Sequence, residues 1–289
     1  MVCSFVAVRD DEHLPIGSCV LIGANTAITA KHNFEGAEAA LNGTEEKRTQ
    51  NANIILPFGF LVIGLDGAIW CVEKSSMTNT YDLMVLLLKP LNEAAQVRTN
   101  FPTIRLCGAD LEENVVGLGY PHQELGNPKE LSSYKMTLSS VEAKVSEVLL
   151  AGRDATFSTP CFACEADFEH GMSGGGVFDA EGKLCGIISF GSPGVPPISY
   201  AALPGASAII PVPWLEGGPL LHELFRGDNG PFLVEGTDSV FLTGEQGKDG
   251  FFGVTFGSSE KVVDEYVKMF WRVNPPPGDM PRPDWLDQD

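Results

Sequence analysis

The sequence predicts an all-β protein, and three observations support that prediction. Its apolar residues fall in short runs of strand length, such as residues 19–22, 60–63 and 186–190, and these runs are rich in β-branched or aromatic side chains. The chain contains 32 glycines and 20 prolines, which favour the turns between such strands. Helical patterns do not alternate with the strands, so we expect a β-sandwich or a β-barrel.

Length and charge narrow the class further. The chain has 289 residues, of which 44% are hydrophobic, so it can bury a sizeable core in one large β protein or in about two folding units. No apolar run approaches the ~20 residues that a membrane-spanning helix needs, and we predict no membrane partner. Nucleic acid is not expected either, because 19 basic and 38 acidic residues give a net charge of −19, which repels phosphate.

The seven cysteines predict a reducing environment. Because seven is odd, at least one thiol is unpaired. The first residues lack the basic segment of a secretory signal, and Asp10 and Asp11 follow the apolar stretch closely. We therefore expect mostly buried, reduced thiols and a cytoplasmic protein; a periplasmic form that has lost its leader is the alternative.

Three polar residues lie beside apolar runs in a pattern that predicts catalysis. His32 ends one run, Asp82 begins another, and Ser173 lies in a glycine-rich loop before a third. A serine hydroxyl is a poor nucleophile at neutral pH, and an imidazole that titrates near about 6.5 is a suitable base for it. A carboxylate fixes the tautomer of that imidazole and stabilises the imidazolium that forms.

The glycines around Ser173 have a separate task. They let the backbone turn so that amide hydrogens point at one spot, where an acyl oxygen would gather negative charge. Loss of one such donor lowers the rate of catalysis by ~10²–10³, so the conformation of this loop matters nearly as much as the hydroxyl.

These segments resemble the motifs of the chymotrypsin/trypsin-like serine peptidases. Residues 27–32 are similar to the histidine motif of that family, residues 82–87 to its aspartate motif, and residues 171–175 to its serine motif. The order His, Asp, Ser is also that of the family. The resemblance covers about residues 1–215. It implies two packed six-stranded antiparallel β-barrels, with the three residues in the cleft between them, in an intracellular bacterial-type member.

The implied domain organisation has three parts. Residues 1–105 would form the N-terminal barrel with the histidine and the aspartate, and residues 106–215 the C-terminal barrel with the serine. Residues 216–289 exceed what the family core needs, and we predict a small α+β extension there. Its predicted elements are strands at 239–242 and 250–254, a helix over 260–270, a shorter helix within 214–225 and an extended Pro-rich tail.

The resemblance also implies a role for each site residue. His32 would act as general base and then as general acid, Asp82 would orient it, and Ser173 would attack the carbonyl carbon. The backbone N–H groups of Gly171 and Ser173 would form the oxyanion hole. Ser189 would brace the aspartate.

A second group of residues is expected to contact the substrate. Ser189, Phe190 and Gly191 resemble the substrate-binding edge of the family, where the backbone of Ser189 and Gly191 would pair with a substrate strand. His170 is next to the oxyanion-hole glycine and is a further candidate contact. The alternative for His170 is an ordinary surface histidine.

Two residues give opposing indications about specificity. Asp167 lies six residues before Ser173, where the trypsin-like branch has an aspartate at the bottom of its pocket that selects Lys or Arg. Ile198 stands where that branch has glycine, and its side chain would block a long cation. A preference for basic residues is therefore one hypothesis, and a solvated loop acid at Asp167 is the other.

Two departures from the family pattern concern cysteine pairing and control. Asn33 follows His32 where secreted members carry a cysteine, so Cys19 has no partner from that bridge, which supports reduced thiols. Met172 precedes Ser173 where zymogen-type members carry an aspartate that pairs with a newly cut N-terminus. Methionine cannot form that ion pair, so we expect control by a partner or by loop ordering.

The sequence therefore predicts a serine endopeptidase that has a narrow polypeptide substrate, a regulatory protein partner and no cofactor. The main alternative is a protease-like binding or scaffold protein with weak catalysis. A second alternative is zinc chemistry at Cys161, Cys164 and His170, a set that lacks a fourth ligand. Two buried thiols are the competing interpretation of the two cysteines.

Overall fold

The chain folds into two six-stranded antiparallel β-barrels followed by a small α+β extension, which confirms the predicted fold class. The computed structural model describes residues 1–42, 48–50, 53–55, 58–192, 194–226, 231–243 and 253–256. Strands predominate among these residues, and the α-helices are short.

The N-terminal barrel uses six of the first eight strands. In chain order these eight are β1 (Val2–Arg9), β2 (Glu12–Gly23), β3 (Thr26–Thr29), β4 (Arg48–Gln50), β5 (Asn53–Ile55), β6 (Gly59–Ile63), β7 (Ile69–Met77) and β8 (Met84–Pro90). The barrel closes in the order β1-β2-β3-β8-β7-β6, and β4 pairs with β5 in a separate hairpin. Its core contains the fully buried Trp70 and Phe5, and the Phe5 ring stacks on that of Phe60 with centroids 5.1 Å apart. Burial of these large rings stabilises the barrel.

Two helices belong to this half of the chain, α1 (Lys31–Asn42) and α2 (Glu93–Gln96). Helix α1 is absent from the elements predicted above. Its residues 37–41 are Ala, Glu, Ala, Ala and Leu, which are strong helix formers. An ion pair of 3.4 Å between Lys31 and Glu35 links adjacent turns. The helix matters for the site because His32 lies in its first turn.

The C-terminal barrel uses six strands from the second half of the chain. The elements of that half are β9 (Ile104–Arg105), β10 (Asn114–Leu125), β11 (Tyr134–Leu149), β12 (Cys161–Cys164), β13 (Gly176–Phe178), β14 (Leu184–Ser192), β15 (Ile198–Ala202), α3 (Leu221–Arg226), β16 (Val234–Glu235), β17 (Val240–Thr243) and β18 (Gly253–Phe256). Pairing of β13 with β14 closes the ring β13-β10-β11-β12-β15-β14. Strands β9 and β16 extend the sheet beyond β14 as parallel strands.

Hydrogen bonds join the two barrels where the hairpin β10–β11 meets β1 and β2. Ser4 Oγ donates to Oε1 of Gln123 over 2.6 Å, and Nε2 of Gln123 donates to the carbonyl of Gly17 over 3.3 Å. The backbone N–H of His13 donates to the carbonyl of Pro128 over 2.8 Å. These contacts fix the relative positions of the barrels and hence of the residues that each contributes to the cleft.

The extension contacts both barrels. Strand β16 pairs with β9 beside the C-terminal barrel. The ring of Phe232 packs on Gly23 in β2 of the N-terminal barrel. If residue 23 had a Cβ, that atom would lie 3.0 Å from the Phe232 ring. The backbone N–H of Val254 donates to the hydroxyl of Tyr81 over 3.3 Å, next to Asp82 in the chain.

The predicted elements of the extension are present in part. Strand β17 lies where a strand is predicted, and β18 begins three residues later than expected, at Gly253. Helix α3 occupies the end of the predicted 214–225 helix. The predicted helix over 260–270 and the Pro-rich tail lie outside the described residues. Within the described part of the chain, the helices are too short or too polar to cross a membrane.

Candidate active site

The first two predicted site residues form a hydrogen-bonded pair on the N-terminal barrel. His32 follows β3 at the start of α1, and Asp82 lies just before β8. Nδ1 of His32 is 2.8 Å from Oδ2 of Asp82, and the backbone N–H of His32 donates to Oδ1 over 2.9 Å. An ionised carboxylate only accepts hydrogen bonds, so Nδ1 carries a proton, and the neutral form of this imidazole has its lone pair on Nε2.

Asp82 is also held from the C-terminal barrel. Its Oδ2 accepts a hydrogen bond from Ser189 Oγ, and its backbone N–H donates to Oγ1 of Thr159 over 2.8 Å. Burial alone raises the pKa of Asp82, but the hydrogen bond and charge of His32 and the hydrogen bond from Ser189 outweigh it, so its pKa lies below the ordinary value. The carboxylate is therefore ionised at neutral pH.

Ser173 lies on the loop before β13, and the backbone of this loop is tied to the N-terminal barrel. The carbonyl of Ser173 accepts hydrogen bonds from the backbone N–H of Ser18 over 2.8 Å and from Nδ2 of Asn33 over 2.9 Å. Ser18 Oγ also donates to the carbonyl of Gly171 over 2.9 Å. The hydroxyl of Ser173 donates to the carbonyl of Ser189 over 3.2 Å.

The loop around Ser173 has the tight turn that its glycines predict. The backbone N–H of Met172 donates to the carbonyl of Glu169 over 3.0 Å. Gly171 has a φ of +93°, and a Cβ there would lie 2.8 Å from the carbonyl oxygen of Tyr120, so the position requires glycine. Within the described residues, the N–H groups of Gly171 and Ser173 donate to no protein acceptor, which leaves both available to a ligand oxygen.

One cleft of about 780 Å³ contains most of the predicted site residues. Those that line it are His32, Asp167, His170, Gly171, Ser173, Ser189, Phe190 and Gly191. The side chain of Asp82 is only 14% exposed and does not line the cleft. It is connected to the cleft by its hydrogen bond with His32. The wall next to α1 and β2 is apolar and includes Leu14, Ile16 and Ala37. The cleft therefore combines a polar centre with an apolar side.

Asp167 has the surroundings of a solvated loop acid, and Ile198 lies next to a residue of the cleft wall. Asp167 lines the cleft but is exposed to solvent, so it is not at the bottom of a buried pocket. Phe168 is turned inward instead: it is 6% exposed, and a Cβ on Gly117 would lie 2.5 Å from its ring. Ile198 is half-buried on β15 opposite Ser192 and does not itself line the cleft, although its neighbour Pro197 does.

An aromatic cluster that the sequence reasoning missed lies beside the predicted substrate-binding edge. The ring of Phe190 is 41% exposed, and its centroid is 6.1 Å from that of Tyr200 and 6.5 Å from that of Phe157. The guanidinium of Arg153 lies 4.7 Å from the Phe190 centroid, a cation–π distance, while its Nε donates to Asp154 over 2.7 Å. No local pattern indicates this cluster, because its members come from separate segments of the chain.

All seven cysteines are free thiols, and five of them are buried. Cys19 lies opposite Cys3 in the register of β1 and β2. Cys161 and Cys164 are buried on β12, and burial raises the pKa of each thiol to about 12. Zinc binds the thiolate, so this environment does not fit the zinc alternative. The described residues contain no group of three or more His, Cys, Asp or Glu side chains arranged to hold a metal ion.

The sequence matches a known domain family over more than half of its length. The profile of the trypsin-like peptidase domain covers residues 17–187, a span that includes His32, Asp82 and Ser173. The chain belongs to the trypsin-like peptidase family. No curated protein matches the sequence of this trypsin-like peptidase.

Solved structures that resemble this peptidase include two proteases. The active form of the Rv3671c protease from M. tuberculosis is 16% identical, and the match covers 71% of this chain and 76% of the other, with a TM-score of 0.48. The HtrA-type protease AlgW with a decapeptide is 16% identical, with coverage of 70% and 60% and a TM-score of 0.46. Likenesses at this level carry no argument about activity or substrate.

Proposed function

We propose that this trypsin-like peptidase is a serine endopeptidase that hydrolyses polypeptide bonds through an acyl-enzyme on Ser173. One observation carries the proposal: His32, already hydrogen-bonded to Asp82, and Ser173 line the same cleft although they come from different barrels. The family supports the class of reaction, and the geometry of the cleft supports the role of each residue.

Acylation begins with proton transfer from the nucleophile. Nε2 of His32 takes the proton of the Ser173 hydroxyl as Oγ bonds to the substrate carbonyl carbon. The N–H groups of Gly171 and Ser173 donate to the oxyanion that develops. The imidazolium, stabilised by the ionised Asp82, then protonates the leaving amine as the C–N bond breaks. An ester on Ser173 and a free amine result.

Water completes the cycle by hydrolysing that ester. His32 takes a proton from water, whose oxygen bonds to the ester carbonyl carbon. The same proton then goes to Ser173 Oγ as the C–O bond breaks, which releases a carboxylic acid and restores the enzyme. These steps need only water and the residues of the cleft, so the proposal includes no cofactor.

The hydrogen bond from Ser173 to Ser189 connects substrate binding to the nucleophile. The Ser189 carbonyl lies on the edge where we expect a substrate strand to pair, and a substrate N–H would compete for it. Displacement of the 3.2 Å hydrogen bond frees the Ser173 hydroxyl to rotate about χ1 toward His32. We therefore expect the contact between Ser173 and His32 to form when substrate binds.

The environment of Met172 bears on how the peptidase is regulated. Met172 is fully buried and packs closely against Gly119. If residue 119 had a Cβ, that atom would lie 2.8 Å from the Cβ of Met172. It offers no charge to an amino terminus, so activation by N-terminal cleavage is not part of the proposal. We infer a narrow polypeptide substrate and a protein partner that acts on the loops of the cleft. The seven unpaired thiols support a cytoplasmic location.

A covalent probe tests the mechanism directly. A fluorophosphonate should label Ser173 in the wild-type protein, with the site located by peptide mapping. Ser173→Ala should remove labelling, and His32→Ala should reduce it to background, because the alcohol then lacks its base. His222→Ala is a matched control, since this imidazole lies on α3 of the extension and does not line the cleft. Labelling of His32→Ala at the wild-type rate would contradict the mechanism.

A protease-like binding protein is the second candidate, and the present position of the Ser173 hydroxyl favours it to a degree. A hydroxyl that stayed on the Ser189 carbonyl with substrate bound would not react. Cleavage of an unstructured polypeptide by wild type but not by Ser173→Ala supports the endopeptidase. Equal binding by both proteins with no cleavage by either supports the binding protein.

A further inference from the structure

Asn33 connects the proposed base to the backbone of the proposed nucleophile. It follows His32 directly in the first turn of α1 and is 4% exposed. Its Nδ2 donates to the carbonyl oxygen of Ser173 over 2.9 Å and to Oγ1 of Thr29 over 3.1 Å, so both amide hydrogens are used. A side chain adjacent to the imidazole thus binds the residue that carries the hydroxyl.

The hydrogen-bond network determines which way this amide points. The carbonyl of Ser173 can only accept, so it must face the NH₂ end of the amide. Oγ1 of Thr29 donates its own proton to the carbonyl of Ser18 over 2.7 Å, so toward Asn33 it acts as an acceptor as well. Both partners therefore require an NH₂ group, and an acceptor oxygen in its place would be repelled.

Two glycines provide the space that the amide occupies. A Cβ on Gly17 would lie 2.6 Å from Nδ2 and 2.7 Å from Cγ of Asn33. A Cβ on Gly174 would lie 2.8 Å from the same Nδ2. The amide is therefore enclosed between β2 and the loop that carries Ser173, and close packing leaves it little freedom to move.

We propose that Asn33 is a positioning residue that sets the separation between the imidazole of His32 and the hydroxyl of Ser173. The inference rests on the proposed function. From His32, one peptide unit, the Asn33 side chain and one hydrogen bond lead to the Ser173 backbone. The hydrogen bond from the Ser18 N–H to the Ser173 carbonyl starts from β2 and does not include His32. Without the Nδ2 donor, this direct link between the two groups is lost, and a misplacement of about 1 Å lowers the rate by ~10².

Two substitutions of Asn33 test this role. Asn33→Asp keeps the shape of the side chain and removes both donors, and Asn33→Ala removes the amide altogether. We expect kcat on an unstructured polypeptide to fall about 10- to 100-fold in both variants, with KM unchanged within about twofold. The rate of fluorophosphonate labelling at Ser173 should fall in parallel, because the defect lies in the approach of base and nucleophile.

Asn92→Ala is the matched control. The Asn92 amide also bridges backbone groups in the N-terminal barrel: Nδ2 donates to the carbonyl of Gly67 over 2.8 Å, and Oδ1 accepts from the N–H of Ile69 over 3.2 Å. These contacts lie on β7 and its preceding turn and do not involve Ser173. Asn92→Ala should lower the midpoint of thermal unfolding and leave kcat unchanged. The control therefore separates a loss of stability from a misplacement of His32 relative to Ser173.

The outcomes distinguish this inference from the proposed function. A wild-type protein that neither reacts with the probe nor cleaves polypeptide would contradict the proposed function itself. An active wild type whose Asn33→Asp variant keeps its kcat, or loses only affinity through KM, would overturn the role of Asn33 alone.

The wild-type protein supplies a test that needs no folded variant. In protein labelled with ¹⁵N-asparagine, one pair of side-chain NH₂ signals should shift when the fluorophosphonate reacts with Ser173. Asparagine signals that all stay in place during complete labelling would overturn the inference.

Discussion

The two barrels hold their site residues by different means. The N-terminal barrel fixes His32 and Asp82 through side-chain hydrogen bonds, including the 2.8 Å contact between Nδ1 and Oδ2. The C-terminal barrel presents Ser173 through its backbone, with Gly171 at a positive φ and the Ser173 carbonyl bound by Asn33. A base needs one tautomer, which a neighbouring carboxylate sets, whereas an oxyanion hole needs N–H groups aimed at one spot, which only backbone conformation sets.

The largest expected effect comes from the side-chain half of this comparison. Asp82→Asn keeps the size of the side chain and removes the charge that selects the tautomer of His32. We expect kcat to fall about 10³- to 10⁴-fold on an unstructured polypeptide, with the fold intact by circular dichroism. Asp66→Asn, in a turn of the same barrel, should keep full activity. A loss below about tenfold in Asp82→Asn would show that the carboxylate does not orient the base.

Gly171→Ala tests the backbone half. The methyl group would lie 2.8 Å from the carbonyl oxygen of Tyr120, and the φ of +93° disfavours alanine, so the N–H groups should turn away from the cleft. We expect kcat to fall about 10²- to 10³-fold. Gly182→Ala is matched in strain, with a φ of +76°, but its Cβ meets nothing within 4 Å. It should cost about 1–2 kcal/mol of stability and no activity; equal activity in the two variants would contradict the prediction.

Ser189→Ala tests the hydrogen bond that joins the two halves. The Ser189 hydroxyl helps to lower the pKa of Asp82, so its removal should raise that pKa. A carboxyl group with a lowered folded pKa contributes stability that is present above its unfolded pKa and is lost as pH falls through the folded pKa. In the variant the loss on acidification should therefore be smaller and be complete at a higher pH. The value of kcat/KM should fall about tenfold.

Urea unfolding measured between about pH 2 and pH 7 checks the expected shift. Ser133→Ala, which removes a hydroxyl from an exposed turn, is the control. The free energy of unfolding of Ser189→Ala could instead fall over the same acidic pH range as that of the wild type. That result would mean that this hydrogen bond does not act on the carboxylate.

The smallest expected effect concerns the extension. Tyr81→Phe removes the acceptor of the Val254 N–H on β18 and leaves that buried donor unpaired. We expect the free energy of unfolding to fall by about 1 kcal/mol, measured by urea denaturation, and kcat/KM to stay within about twofold. A loss of activity above tenfold would show that the extension holds Asp82 in place and would reverse this order of effects.

The sequence anticipates some of the site better than the rest. His32, Asp82 and Ser173 are recognisable because catalysis needs particular residue types next to strands, and the glycines around Ser173 indicate the turn that the structure contains. Of the two hypotheses for Asp167, the exposed position fits the solvated loop acid, because Phe168 packs against Gly117 and leaves its neighbour facing outward. Helix α1 could have been predicted from its alanines, since helix propensity is a local property.

By itself, the sequence determined the all-β class and the residue types that carry the proposed chemistry, since strand-length apolar runs and short motifs are encoded locally. Apart from Ser189, which the family resemblance implied, only the tertiary structure showed which polar side chains support them. The contact of Asn33 with Ser173 joins residues 140 positions apart, and that of Asp82 with Thr159 joins residues 77 apart. Residues so distant in the chain come into contact only because the two barrels pack together. No local sequence pattern around either residue indicates such a contact.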